Sequence, residues 1–248
     1  MMKRMVIFFQ VLMLFLMPAM LSADDKIHVA VAANFMQPFK EIAKLFESKK
    51  QVTVNVTFGS SGHLTGQIMN GAPYDVFLSA DEERPATLNK KGFAEKPFIY
   101  ARGQVVLWSA KKELCGPSRW QEIVTRPSVK KIAVASPKVA PYGAASMVAI
   151  VQSGLRDTIQ NKLVYPETIA QAFQYALMES VDVAFCAFSS ALSEKGKRGC
   201  YYEVKEAPPT VQSACVLTRA KDRETVKYFA NFLNSSEANS IKKKYGYK

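Results

Sequence analysis

Four short stretches of the chain put small, turn-forming or hydrogen-bonding residues where an extended segment gives way to a helical pattern. They are Ala33-Asn34, Gly59-Ser60-Ser61-Gly62, Ala140-Pro141-Tyr142-Gly143 and Pro166-Glu167-Thr168-Ile169. A helix start leaves backbone N–H groups without partners and carries a partial positive charge, which suits an anion. Glycine lets the backbone approach a ligand closely, while Ser and Asn add neutral donors. No Arg, Lys or His lies in these stretches, although the chain has 33 Lys and Arg. A dianion bound there would be held by dipoles and hydrogen bonds, and released without separating a buried ion pair. Acceptors are scarce too, Glu167 being the only acid among them, so a fully deprotonated tetrahedral oxyanion fits better than a protonated one. Each stretch also has a plain structural reading: Asn34 and Ser61 suit N-caps and "APYG" suits a turn.

The nearest approach to a catalytic set is Ser60 or Ser61 with His63. "GSSG" is not the G-x-S-x-G elbow, and no carboxylate is obviously placed to orient His63. The sequence therefore predicts a binding protein and not an enzyme.

The elements that must position these residues alternate along the chain. "KIHVAVAAN" reads as a buried strand, followed by a helix with Phe39, Ile42, Ala43 and Phe46 on one face. "VTVNVTF" then "SGHLTGQIMNG", "YDVFLSAD" then "EERPATLNKKG", and "KKIAVAS" then "YGAASMVAIVQSG" repeat the pattern. "PETIAQAFQYALMES" is a helix with Ile169, Ala172, Phe173 and Ala176 as its core stripe, and "VDVAFCAFS" is the strand after it. Such units predict an α/β fold of mostly parallel sheets covered by helices. Two longer extended segments, at 98–110 and 210–220, do not lead at once into helices and could carry the chain between two lobes. The predicted division is residues 24–104 plus 214–248 for lobe 1 and 105–213 for lobe 2, with a ligand cleft between the carboxyl ends of the two sheets.

Residues 1–23 read as a secretory signal peptide: Lys3 and Arg4, an apolar run, then Leu21-Ser22-Ala23. No cysteine stands at the expected cut, so a soluble exported protein is predicted, beginning near Asp24. Removing Lys3 and Arg4 lowers the net charge from +12 to about +10, a field that favours anionic partners. No basic stripe with interleaved aromatics points to nucleic acid. Cys115, Cys186, Cys200 and Cys215 would meet an oxidising compartment, with up to two disulfides and three possible pairings. Cys186, inside "VDVAFCAF", reads equally well as a small buried hydrophobe. Without C-x-x-C, and with only His28 and His63 as histidines, no structural zinc site is expected.

Together "VAVAAN", "FGSSGHLTGQIMNGAPYDVFLSAD", "SPKVAPYGAAS", "ETIAQAF" and "KKKYGY" resemble, in that order, the periplasmic molybdate-binding proteins of ABC transporters. The resemblance runs from about residue 27 to 247. It implies a two-lobed, hinge-closing periplasmic binding protein fold joined by two crossover strands. It also implies a molybdate or tungstate ligand, no cofactor, a membrane permease as partner, a periplasmic location and a monomer. Metal would enter only as the oxyanion, with no direct metal ligands. Carried over by position, the oxyanion ligands are Asn34, Ser61, Tyr142 and Ile169, the last two through backbone N–H, with Ala33 and Ser60 as neighbours and Phe188 and Ser189 close by. The best-known pattern has a serine at Asn34 and a last-strand tyrosine at Ala187. "AANF" with "APYGAA" resembles a second branch in which asparagine is a ligand. The alternative readings are a carrier of another tetrahedral oxyanion such as sulfate, or of a small organic solute.

Overall fold

The computed structural model describes residues 26–248; the expected signal peptide and cleavage point lie outside them. The chain opens with β1 (Lys26–Ala32), a 3-10 turn (Ala33–Phe35), α1 (Met36–Lys50), β2 (Thr53–Gly59), α2 (Ser61–Met69), β3 (Val76–Leu78), α3 (Glu83–Lys90) and β4 (Phe98–Gly103). It continues through β5 (Val105–Ser109), α4 (Trp120–Thr125), β6 (Ile132–Ala133), α5 (Pro141–Gln152), α6 (Arg156–Ile159), β7 (Leu163–Val164), α7 (Ile169–Leu177), β8 (Val183–Ala187), α8 (Phe188–Ala191) and β9 (Cys200–Glu203). It closes with β10 (Thr210–Val216), α9 (Glu224–Phe232) and α10 (Ser236–Lys244).

Two five-stranded sheets result, ordered β2-β1-β3-β10-β4 and β7-β6-β8-β5-β9. In the first, β1 pairs parallel with β2 and β3, while β10 pairs antiparallel with β3 and β4. The second repeats this arrangement, with β6 parallel to β7 and β8 and β5 antiparallel to β8 and β9. Each sheet thus has one reversed strand, β10 or β5, and each reversed strand is the one that follows a passage between lobes. The sheets are mostly parallel, as expected, with four of five strands running one way in each; the reversed strand arrives from the other lobe without a βα crossover to set its direction. Only Gln104 separates β4 from β5. The chain returns through residues 204–209, and the expected boundary at 213/214 falls inside β10, which pairs along its length in the first sheet.

The expected helix stripes are the buried ones: Phe39, Ile42, Ala43 and Phe46 on α1, and Ile169, Ala172, Phe173 and Ala176 on α7. In the first lobe the α1 stripe packs against Ile27, Val29 and Phe229, with Phe46 and Phe229 edge to face at 5.1 Å. In the second, Trp108 and Phe173 meet edge to face at 4.8 Å. One disulfide forms, Cys115–Cys200, tying the segment after β5 to the start of β9. Cys186 and Cys215 are buried free thiols in β8 and β10, and burial raises the pKa of both. Near the C-terminus, buried Lys242 donates to the carbonyls of Tyr100 and Leu233 and to Asn234 Oδ1, at 2.5, 2.9 and 3.1 Å. Lys248 exchanges both backbone hydrogen bonds with Arg102. These ties fix the tail between them, including Tyr247, against the passage between lobes.

Candidate functional site

The four stretches meet. One small cavity is lined by Ala32, Ala33 and Asn34, by Gly59, Ser60, Ser61 and Ala80, and from the other lobe by Ala140, Pro141, Tyr142, Thr168 and Ile169. All four expected ligand residues and both expected neighbours line it. No charged side chain does. Larger hollows lie elsewhere, one of them at the back of the interlobe passage between Gln104 and Lys248.

Local sequence explains each helix start. Ser60 is the N-cap of α2, its hydroxyl accepting the His63 N–H at 3.4 Å. The simple reading gave that cap to Ser61; the structure moves it one residue back. Ser61 is then the first helical residue, buried, with its hydroxyl accepting from the Ala80 N–H at 3.0 Å. Its own proton remains available to donate. Asn34 sits in the 3-10 turn after β1, and neither that turn nor α1 has a side-chain cap. Pro141 takes the first position of α5, where a missing N–H is harmless. Thr168 and Gln171 form a reciprocal capping box at the start of α7. As first-turn residues, Tyr142 and Ile169 have N–H groups without intrahelical acceptors. Two helix starts from each lobe thus enclose one neutral, donor-rich space.

Two kinds of contact close the lobes around it. At the cleft mouth the Gly62 N–H donates to the Val139 carbonyl at 2.9 Å, and Arg84 Nη2 donates to the Lys138 carbonyl at 3.4 Å. His63 Nδ1 lies 3.7 Å from Glu167 Oε2, both side chains about half exposed or more. No hydrogen bond among the described residues joins the His63 ring to Ser60 or Ser61.

At the back, polar side chains of both lobes form a buried cluster that sequence reasoning missed. Gln212, fully buried in β10, contacts Asn34 Nδ2 at 2.7 Å, the Tyr100 hydroxyl at 2.9 Å and, across the lobes, the Tyr142 hydroxyl at 3.1 Å. Tyr247 lies 3.1 Å from Asn34 Nδ2 and donates to the Asn34 carbonyl at 2.8 Å. Ser189 reaches across from α8 to the same carbonyl at 2.9 Å and to the Tyr247 hydroxyl at 3.1 Å. Burial raises the pKa of all three tyrosines, Tyr100, Tyr142 and Tyr247, which keeps them neutral. Phe188 turns elsewhere, packing on Tyr201 at 5.2 Å. Ala187 ends β8 as the residue before α8.

Two lobes closing on a neutral cavity define a solute-binding protein. Residues 27–248 match the family model described as bacterial extracellular solute-binding protein, and the chain belongs to that family. It is 37% identical over 233 residues to the molybdate-binding protein ModA of Rhodobacter capsulatus, covering 92% of this chain and 90% of that one. In structure it is similar to the periplasmic molybdate-binding protein of Azotobacter vinelandii, with TM-score 0.84 and 31% identity over 90% of this chain and 98% of that one. The sulfate-binding protein SubI of Mycobacterium tuberculosis shares the fold, with TM-score 0.73 at 17% identity over 90% of this chain and 86% of that one.

Proposed function

We propose that this chain is the periplasmic molybdate-binding component of an ABC transporter. It captures molybdate or tungstate in the interlobe cavity and hands it to the membrane permease. The observation that carries this reading is the cavity: four helix starts, two from each lobe, converge on a small space with neutral donors and no charged lining. The ligand set we assign is the Ser61 hydroxyl, the backbone N–H groups of Tyr142 and Ile169, and Asn34, with Ala33 and Ser60 in van der Waals reach. The lobes we assign are 26–103 with 210–248, and 105–203, turning about residue 104 and residues 204–209 as a monomer exported by cleavage near Ala23. Kinship to molybdate-binding relatives supports the choice of anion, since the shared fold of a sulfate carrier leaves it open. A small organic solute finds no charged partner here, whereas such ligands commonly pair with one.

The test is thermal unfolding with molybdate, tungstate, sulfate, phosphate or no anion at matched ionic strength. At a concentration about 1,000 times Kd the native state gains roughly 4 kcal/mol, a rise of several degrees for a chain of this size. Molybdate and tungstate are expected to raise Tm and sulfate and phosphate to leave it, with Ser61→Ala weakening binding by about 1–3 kcal/mol. Equal shifts with sulfate would refute the choice of anion, and an unaltered Ser61→Ala affinity would remove Ser61 from the site.

A further inference from the structure

The buried cluster behind the cavity admits two hydrogen-bond polarities on one set of heavy-atom contacts. In the first, Asn34 Nδ2 donates to Gln212 Oε1 and Tyr247 Oη, and Gln212 Nε2 donates to Tyr142 Oη. Both amide protons of Asn34 are then spent inside the cluster. This arrangement leaves Tyr100 one proton short: its hydroxyl lies 3.1 Å from the Ser79 carbonyl and 2.9 Å from Gln212 Oε1, and both are acceptors.

Turning both amides by half a revolution exchanges oxygen and nitrogen without moving any contact. Tyr142 Oη then donates to Gln212 Oε1. Gln212 Nε2 donates to Asn34 Oδ1 and to Tyr100, whose own proton is free for the Ser79 carbonyl. The shortage moves to Tyr247, whose single proton now faces two oxygens of Asn34, at 2.8 and 3.1 Å. The contacts of Ser189 with the Asn34 carbonyl and Tyr247 are common to both polarities; beyond them each polarity leaves one further hydroxyl a proton short, so the two are close in hydrogen-bond count. The two differ in which amide atom of Asn34, a residue that lines the cavity, is left without a partner in the cluster: the oxygen in the first, the NH₂ group in the second. A dianion repels the oxygen and accepts from the NH₂, so it favours one state strongly over the other, which is the condition for a ligand to shift an equilibrium.

We propose that Gln212 is a positioning residue of the binding site: through its amide polarity it decides whether Asn34 turns an NH₂ group to the oxyanion. This rests on the oxyanion reading above. The same amide contacts Tyr142, whose backbone belongs to the cavity and whose hydroxyl belongs to the cluster, so anion binding also orients a side chain of the opposite lobe. Gln212 touches no ligand itself.

The experiment is a titration of ¹⁵N-labelled protein with sodium molybdate, following side-chain NH₂ signals, with Kd measured in parallel by calorimetry. The Asn34 and Gln212 signals are assigned by their loss in Asn34→Ser and Gln212→Met. The expected result is that both move together and saturate at one equivalent, and that Gln212→Met raises Kd about tenfold. Because Gln212 is fully buried in a packed strand, Tyr142→Phe serves as a second variant. It removes the hydroxyl at the far end of the cluster, keeps the backbone N–H, and is expected to raise Kd severalfold. A Gln212 signal unmoved at saturating molybdate, or wild-type Kd in a folded Gln212→Met or in Tyr142→Phe, would overturn the proposal. A wild-type protein that binds no molybdate would instead refute the functional reading, and this inference with it.

Discussion

The lobes meet at two unlike ends of one cleft. At the mouth the contacts are one backbone hydrogen bond from Gly62, a long one from Arg84, and the half-exposed His63 and Glu167. At the back they are Gln212 to Tyr142 and Ser189 to Asn34 and Tyr247, all buried and neutral. Groups at the mouth regain water when they separate, so breaking those contacts costs little. A group at the back that loses its partner without reaching water bears the full desolvation penalty. The back is therefore suited to hold one defined geometry near the interlobe passage, and the mouth to open and close.

The largest expected effect comes from disturbing the back. Gly103 ends β4 beside the passage, and a Cβ there would stand 1.9 Å from the Tyr142 hydroxyl and 2.7 Å from Gln212 Nε2. Gly103→Ala must displace Tyr142 or Gln212 from a packed cluster, and overpacking of this kind costs about 1–3 kcal/mol or more. Molybdate affinity should fall about a hundredfold and the ligand-free Tm should drop as well, read by calorimetry and thermal unfolding. Unchanged affinity would show that the cluster does not position the site.

The corresponding change at the mouth separates closure from stability. A Cβ on Gly62 would lie 2.9 Å from the Val139 Cα, a backbone atom of the other lobe. Gly62→Ala therefore opposes the closed state by contact, while inside α2 alanine is favoured over glycine by up to about 1 kcal/mol. Affinity should fall about tenfold while the ligand-free Tm holds or rises. A fall in both would mean that the mouth, like the back, supports the folded lobes.

This contrast also sets what could be read from the sequence. Three of the four helix starts were legible because caps, glycines and the single N1 proline, Pro141, act within a few residues, whereas the turn at Asn34 has no side-chain cap; all four line one cavity. The α1 and α7 stripes were legible for the same reason. The back cluster was not, since Asn34 meets Gln212 and Tyr247 across separations of 178 and 213 residues, which no local pattern encodes. One signal was present: Gln212 is a polar residue inside the otherwise largely apolar strand "TVQSACV", where a buried amide must find partners. The reversed direction of β10 and β5 likewise depends on how the lobes join and not on periodicity. Cysteine spacing left the pairing open; the fold decides it by burying Cys186 and Cys215 in strands of different sheets.

The smallest expected effect is at the exposed pair. His63 and Glu167 face each other across the mouth at 3.7 Å, with side chains 49% and 68% exposed. Water screens such a pair, and exposed pairs of this kind contribute about 0–1 kcal/mol. Neither side chain lines the cavity, although His63 stands two residues from Ser61 and Glu167 directly precedes Thr168 in its walls. His63→Ala keeps the backbone N–H that Ser60 accepts, and so leaves the cap of α2 in place. Its Kd for molybdate should stay within about threefold of wild type at low salt, and the difference should vanish as ionic strength rises. A tenfold loss that survives high salt would place His63 in the binding machinery and erase the distinction between a pliant mouth and a determining back.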